Sequence, residues 1–260
     1  MKKEILLASL GIAIGEINIF LGHTYSGIVI HIINLQILTL AIIFGRVSSD
    51  IKNLFHIKSV FQSLLLLLLL RIVNIAMPQF FTNTLLWYSL IYGVMFLPIY
   101  SIINNQKITL KELGMNFRRL HIYLPAALLI GAVAAFFESR IINPIPLIEN
   151  INISSILMLT VVMFVFVGAV EELIFRSILQ TRLEKALGLK SGILLSGALF
   201  GIMHSSYGIL NEILFACVFG IVLSYIFQKT RSFPFILLIH GFANVLLFGL
   251  MPILSKLSYK

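Results

Sequence analysis

Nine apolar runs follow one another along this chain with only short polar breaks between them, near 4–21, 28–44, 59–77, 83–103, 121–138, 152–176, 190–206, 210–228 and 233–254. Each approaches the roughly 20 residues that cross a bilayer as a helix. Within a run the apolar positions are continuous. A β-barrel would instead alternate lipid-facing with lumen-facing residues, so that architecture is excluded. With 59% hydrophobic and 11% charged residues and a mean hydropathy of +1.04, the balance is far from a soluble domain's about half apolar and a quarter charged. The implied fold is all-α, a polytopic helical transmembrane bundle of about 8–9 spans.

A net charge of +9 raises nucleic acid as a partner, but the basic residues form no single patch. They gather in alternate loops: Lys2 and Lys3; Arg46, Lys52 and Lys58; Lys107, Lys111, Arg118 and Arg119; Arg176, Arg182, Lys185 and Lys190; Lys229 and Arg231. The intervening loops, at 22–27 and 77–82, are nearly free of them, with Arg140 the exception. That alternation encodes orientation and puts the N-terminus in the cytoplasm of a multi-pass cell-membrane protein. Lys256 and Lys260 fall on the outer side, which sets the last span apart. The partner is therefore the lipid bilayer, with no nucleic acid. The opening Met1-Lys2-Lys3 and apolar run resemble a signal peptide. Glu16 interrupts it and no clean small-x-small site follows, so an uncleaved first span is expected. The single cysteine, Cys217, excludes an intrachain disulfide and reads as a small buried apolar residue.

Residues 103–119 form the one long polar stretch, dividing an N-terminal four-span half (1–110) from a C-terminal core domain (111–255). The leucine run at 64–70 reads as lipid-facing helix. An ionisable group in hydrocarbon costs several kcal/mol, so each one asks for a reason. Glu16 and Arg71 share a depth of about 20 Å from the cytoplasmic ends of their spans, which predicts a structural ion pair, with a substrate contact as the alternative. His23, His31, His56 and His121 receive no function.

A denser group follows. Glu171 and Glu172 close one apolar run, with Arg176 one turn on; His204 closes another, one turn after Phe200; His240 and Asn244 lie one turn apart in the last. Gly188 reads as the cap of a helix end. Counting along both arms from that turn puts Glu171 and His204 level, roughly 25 Å away, with His240 roughly 13 Å in from Arg231. The three sets can meet about a third to halfway into the bilayer from the cytoplasmic face, and the site is expected to open there.

A glutamate beside a histidine, away from bulk water, can hold and deprotonate one water molecule. Arg176 neutralises Glu172 and leaves Glu171 for proton transfer. The His240 N–H and the Asn244 amide on one face suit an oxyanion developing on a carbonyl. This set describes amide hydrolysis without a covalent intermediate. Zinc is the chemical alternative, with Glu171, His204 and His240 as three ligands. No His-Glu-x-x-His sequence accompanies them, so the metal-free reading, with no cofactor, is preferred.

These residues resemble the CPBP family of membrane proteins, which includes the CAAX prenyl endopeptidases and bacteriocin-immunity-type (Abi) proteins. Glu171-Glu172-Leu173-Ile174-Phe175-Arg176 matches its Glu-Glu-x-x-x-Arg motif. Phe200 to His204 matches Phe-x-x-x-His, and His240 to Asn244 matches His-x-x-x-Asn. Leu113-Gly114-Met115-Asn116 looks like the entry to the family's core, so the resemblance runs from about Leu113 to Leu250. It implies an intramembrane endopeptidase (hydrolase) in which Glu171 and His204 activate water and His240 with Asn244 form the oxyanion hole. It also implies a membrane-associated protein or lipidated peptide as substrate, of the prenylated CAAX type by analogy. The family's other branch is the alternative: a non-enzymatic bacteriocin-immunity or membrane scaffold protein. A transporter is a third reading, since buried charges also mark ion pathways, but no repeated pair of broken helices supports it.

Overall fold

The computed structural model describes residues 2–45, 51–75 and 84–258. Arg46, the 77–82 loop and Lys260, which entered the charge argument, lie outside them. The described residues form nine helices and no strand: α1 Lys2–Phe20, α2 Thr24–Phe44, α3 Ile51–Ile75, α4 Thr84–Asn105 and α5 Leu120–Ile142, then α6 Ile153–Leu187, α7 Leu189–Ile202, α8 Leu210–Thr230 and α9 at 233–258. The chain is an all-α polytopic membrane bundle. Seven helices are long and apolar enough to cross a membrane, all but α1 and α7. α1 carries Lys2, Lys3, Glu4 and Glu16 within 19 residues. The run expected to cross at 190–206 yields a helix of only 14 residues, about 21 Å long against a hydrocarbon core of about 30 Å. It stops short because His204 to Gly208 leave the helix in a tight turn, with Gly208 in the left-handed region.

Where helices come closest, the sequence supplies glycine. A Cβ on Gly201 would stand 2.1 Å from the Cys217 sulfur and 2.4 Å from its backbone nitrogen, and one on Gly197 would stand 2.7 Å from the Ile221 nitrogen. Gly197 and Gly201, one turn apart, thus let α7 and α8 lie backbone to backbone, as small residues do between membrane helices. Cys217 is half-buried in this contact, its thiol 3.7 Å from the Ala198 carbonyl; it is less enclosed than expected because α8 turns its other face outward. Gly188, at φ +92°, caps α6 as predicted, donating to the Glu184 carbonyl.

The leucine run does not face lipid. Leu64, Leu66, Leu67 and Leu68 are fully buried, because α3 sits inside the bundle against α1, α2, α4 and α6. Hydrocarbon tails and a protein core are equally apolar, so composition could not tell these surroundings apart. The polar segment at 106–119 packs across the basic end of the bundle. Arg182 donates to Gln106 at 2.6 Å, Ser177 to the Leu113 carbonyl at 2.7 Å, and the Phe233 amide to the Gly114 carbonyl at 2.7 Å. Glu112 there bonds Lys185. Partial burial works to raise its pKa, but the hydrogen bonds from Lys185 and the Thr109 amide, with the charges of Lys185 and Arg182, hold it below the usual carboxylate value.

The ion pair expected between α1 and α3 is present and bidentate. Arg71 Nε and Nη2 donate to the two Glu16 oxygens at 2.8 and 2.7 Å, with Glu16 fully enclosed and Arg71 2% exposed. It reaches further than expected. His31, to which the sequence lent no role, places Nε2 3.2 Å from Glu16 Oε1. Ser205 donates to Glu16 Oε2, and Arg71 Nη2 to the Met203 carbonyl. The pair therefore grips the turn after α7 on both sides of His204.

Removing one partner of a buried pair strands the other charge, at about 3–5 kcal/mol. Glu16→Gln is expected to lower the thermal midpoint in detergent sharply, and Glu16→Gln with Arg71→Met to recover part of it. A double variant no more stable than Glu16→Gln would contradict the pairing.

Candidate active site

The reactive residues sit where the helices are least regular. In α6, Ala169–Glu172 is a short α-helical piece between wider π-helical stretches at Val162–Gly168 and Leu173–Gln180. Such π-helical insertions recur at functional sites. Adjacent positions on a helix point about 100° apart, so Glu171 and Glu172 leave the same turn for different surroundings.

Glu172 is fully buried and engaged. Arg176 Nη1 donates to its Oε1 at 2.8 Å, as the one-turn spacing predicted, and His240 Nδ1 stands 2.7 Å from the same oxygen. Arg176, itself fully buried, lies 4.2 Å over the Phe200 ring and donates to the Gly220 carbonyl at 3.3 Å. A cation over an aromatic face and beside a carboxylate is stabilised from both sides. Phe200 is thus the platform under the guanidinium, and its ring also meets His240 edge-on at 5.8 Å.

Glu171 faces open space instead. Tyr92 of α4 donates its hydroxyl to Glu171 Oε1 at 2.9 Å, and Asn74 of α3 reaches Tyr92 at 3.4 Å. His240 Nε2 lies 3.7 Å from Glu171 Oε2. Since the Glu172 carboxylate accepts, His240 carries a proton on Nδ1; donation from Nε2 to a further acceptor needs the second proton as well. His204 Nδ1 is 3.0 Å from the Phe200 carbonyl. A carbonyl only accepts, so Nδ1 is the protonated nitrogen there and Nε2 keeps its lone pair.

Glu171, His204, His240 and Asn244 all line one cavity of about 840 Å³. The four residues proposed from the sequence as catalytic are therefore together, and Glu172, Arg176 and Phe200 stand behind them. The sequence missed Tyr92 and Asn74, which come from the N-terminal half and bear no motif. It also missed Glu138 on the cavity wall. A tyrosine in an apolar run carries no charge penalty that would single it out, whereas Glu138 lay near a predicted span end, where a carboxylate needs no special reason.

Among the described residues, the cavity reaches toward the end of the bundle opposite the one where the site was expected to open. Phe20, Gly22 and Thr24 at the α1–α2 turn, Asn74 and Ile75 at the end of α3, and Ser206 to Gly208 line its outer part. These lie at the end of the bundle away from the basic loops. Toward the basic end the way is filled by Glu172, Phe175, Arg176, Phe200 and Ser177, all 2% exposed or less. Counting residues set the depth of the site; side-chain packing decided which end is closed. Among the described residues, no three of the histidine, cysteine, aspartate and glutamate groups converge as metal ligands. Glu171, His204 and His240, the ligands of the zinc alternative, do not form such a group.

Residues 153–246 match the family model described as type II CAAX prenyl endopeptidase Rce1-like. This bears out the resemblance carried by the three motifs, over a narrower stretch than 113–250: the matched segment runs from the start of α6 into α9 and leaves out α1 to α5. No curated protein and no solved structure matches the chain.

Arg176→Met leaves the Glu172 charge with His240 alone. A loss of about 3–5 kcal/mol is expected in thermal unfolding in detergent, with Glu172→Gln added to Arg176→Met restoring part of it. An Arg176→Met protein that melts like wild type would mean that Glu172 carries no buried charge.

Proposed function

With residues 153–246 similar to the type II CAAX prenyl endopeptidases, we propose that the chain is an intramembrane endopeptidase whose water is activated by Glu171 and His204. The observation that carries this reading is the single cavity wall shared by Glu171, His204, His240 and Asn244. Glu171 and the free Nε2 of His204 hold a water between them, and Glu171 takes its proton as the oxygen attacks the scissile carbonyl. The carbonyl oxygen gathers negative charge. The Asn244 amide and the Nε2–H of doubly protonated His240 stand ready to stabilise it. As the tetrahedral intermediate collapses, the C–N bond breaks and Glu171 returns its proton to the leaving amine. A carboxylic acid, which keeps the water's second proton, and an amine result, and the side chains end as they began.

Tyr92 orients this step. Its hydroxyl occupies Glu171 Oε1 and turns Oε2 toward the cavity. Glu172 and Arg176 act behind the reacting atoms, holding His240 by Nδ1. The substrate is a peptide bond of a membrane-associated chain, for which the CAAX-type prenylated tail is the family's precedent. By the positive-inside rule the basic end lies in the cytoplasm. The mouth at the opposite end then favours a substrate that reaches the site from the outer side or from within the bilayer.

Purified protein is expected to cleave lipidated peptides in detergent micelles, with and without chelator. Glu171→Ala and His204→Ala should each reduce the rate by about 10²–10⁴-fold; a rate that survives both changes refutes this mechanism. Cells still protected by a well-folded Glu171→Ala protein would point to the immunity or scaffold reading. Tyr92→Phe, which removes one hydrogen bond to a charged group, should lower kcat about tenfold with KM little changed. Unaltered kcat would remove Tyr92 from the mechanism.

A further inference from the structure

Away from the reacting atoms, the same cavity is lined by a second carboxyl group, with another enclosed behind it. Glu138, on α5, lines it and is 9% exposed. Glu212, in the first turn of α8, is fully buried, and neither of its oxygens has a hydrogen-bond donor. The helices that carry them pack against each other, and the two carboxyls lie close enough to feel each other's charge. Among the described residues neither is paired with a lysine, arginine or histidine. Arg140, the nearest cation along the chain, is exposed and lies over the Phe136 ring at 5.3 Å.

Every other buried carboxylate named so far has its cation: Glu16 has Arg71 and Glu172 has Arg176. Ionised carboxylates only accept hydrogen bonds, so Glu138 and Glu212 satisfy each other only through an added proton or an added cation. The helix dipole at the start of α8 favours negative charge on Glu212 but gives it no donor. Two carboxyls are too few for a metal site here, and no group of three suitable side chains forms among the described residues. An ammonium or guanidinium entering from the cavity can donate hydrogen bonds to Glu138 and offset the charge of Glu212 behind it.

We propose that Glu138 and Glu212 form an acidic subsite that binds a cationic group of the substrate peptide, a lysine or arginine side chain or a free N-terminal ammonium. The inference rests on the endopeptidase reading and adds the substrate's charge to it. Glu138 and Glu171 line one cavity, and so does Tyr207, which is stacked on the His204 ring at 6.3 Å. The cation is therefore held within a few residues of the bond to be cut. Nothing along the chain marks this pair, since Glu138 and Glu212 lie far apart and in no motif.

The test uses the full chain in detergent micelles and acylated peptides identical except at one position near the scissile bond, carrying lysine or N-acetyl-lysine there. A second peptide pair has a free or an acetylated N-terminus. Binding is read by fluorescence anisotropy on the Glu171→Ala protein, and kcat/KM on the wild type. The cationic member of one pair should bind about ten- to hundredfold more tightly, and which pair responds identifies the group bound. In Glu138→Gln and in Glu212→Gln that ratio should fall toward one, with the thermal midpoint reporting that each variant is folded. Equal binding of charged and acetylated peptides overturns the subsite, as does an undiminished ratio in both folded variants. Because binding is read without turnover, a cation preference in a protein that cleaves nothing would sink the endopeptidase reading and leave the subsite standing. Cleavage without preference would do the reverse.

Discussion

The Glu16–Arg71 ion pair holds together what the two halves of the chain must share. In an apolar interior a lone charge costs several kcal/mol, so each one draws partners to itself. Glu16 gathers Arg71, His31 and Ser205, while Arg71 reaches on to the Met203 carbonyl. Three N-terminal helices are thereby fastened to the turn that carries His204. The N-terminal half contributes that fastening to the site, together with Asn74 of α3 and Tyr92 of α4.

Two adjacent glutamates illustrate how surroundings assign roles. Glu172 is enclosed, neutralised by Arg176 and bonded to His240, so it supports. Glu171 accepts from the Tyr92 hydroxyl, has His240 Nε2 at 3.7 Å and otherwise faces the cavity. The π-helical stretches on either side of Ala169–Glu172 set this divergence within one continuous helix. The aromatic ring of Phe200 completes the arrangement by lying under the guanidinium and against the imidazole that Glu172 orients.

Much of the site was legible because charge is conspicuous in an apolar sequence. The depth count from Gly188 and the one-turn spacings of Glu172 with Arg176 and His240 with Asn244 rest on helical rise and pitch, which hold wherever a helix forms. The same reasoning failed for the leucine run of α3, for the length of α7 and for the open end of the cavity. Apolar composition does not separate lipid from protein, and a rise per residue says nothing about what fills the space beside a helix.

By itself the sequence determined a polytopic helical membrane protein, its basic end, the pairing of Glu16 with Arg71, and the seven residues whose spacing brings them to one depth. Each of these follows from length, charge and helical geometry, which are local properties. Tertiary structure alone decided that α3 is central, that Tyr92 and the Glu16 cluster support the site, and that the cavity extends away from the basic loops past Glu138. Those facts depend on which helix faces lie against one another, and in a chain apolar on nearly every face, packing between distant segments makes that choice.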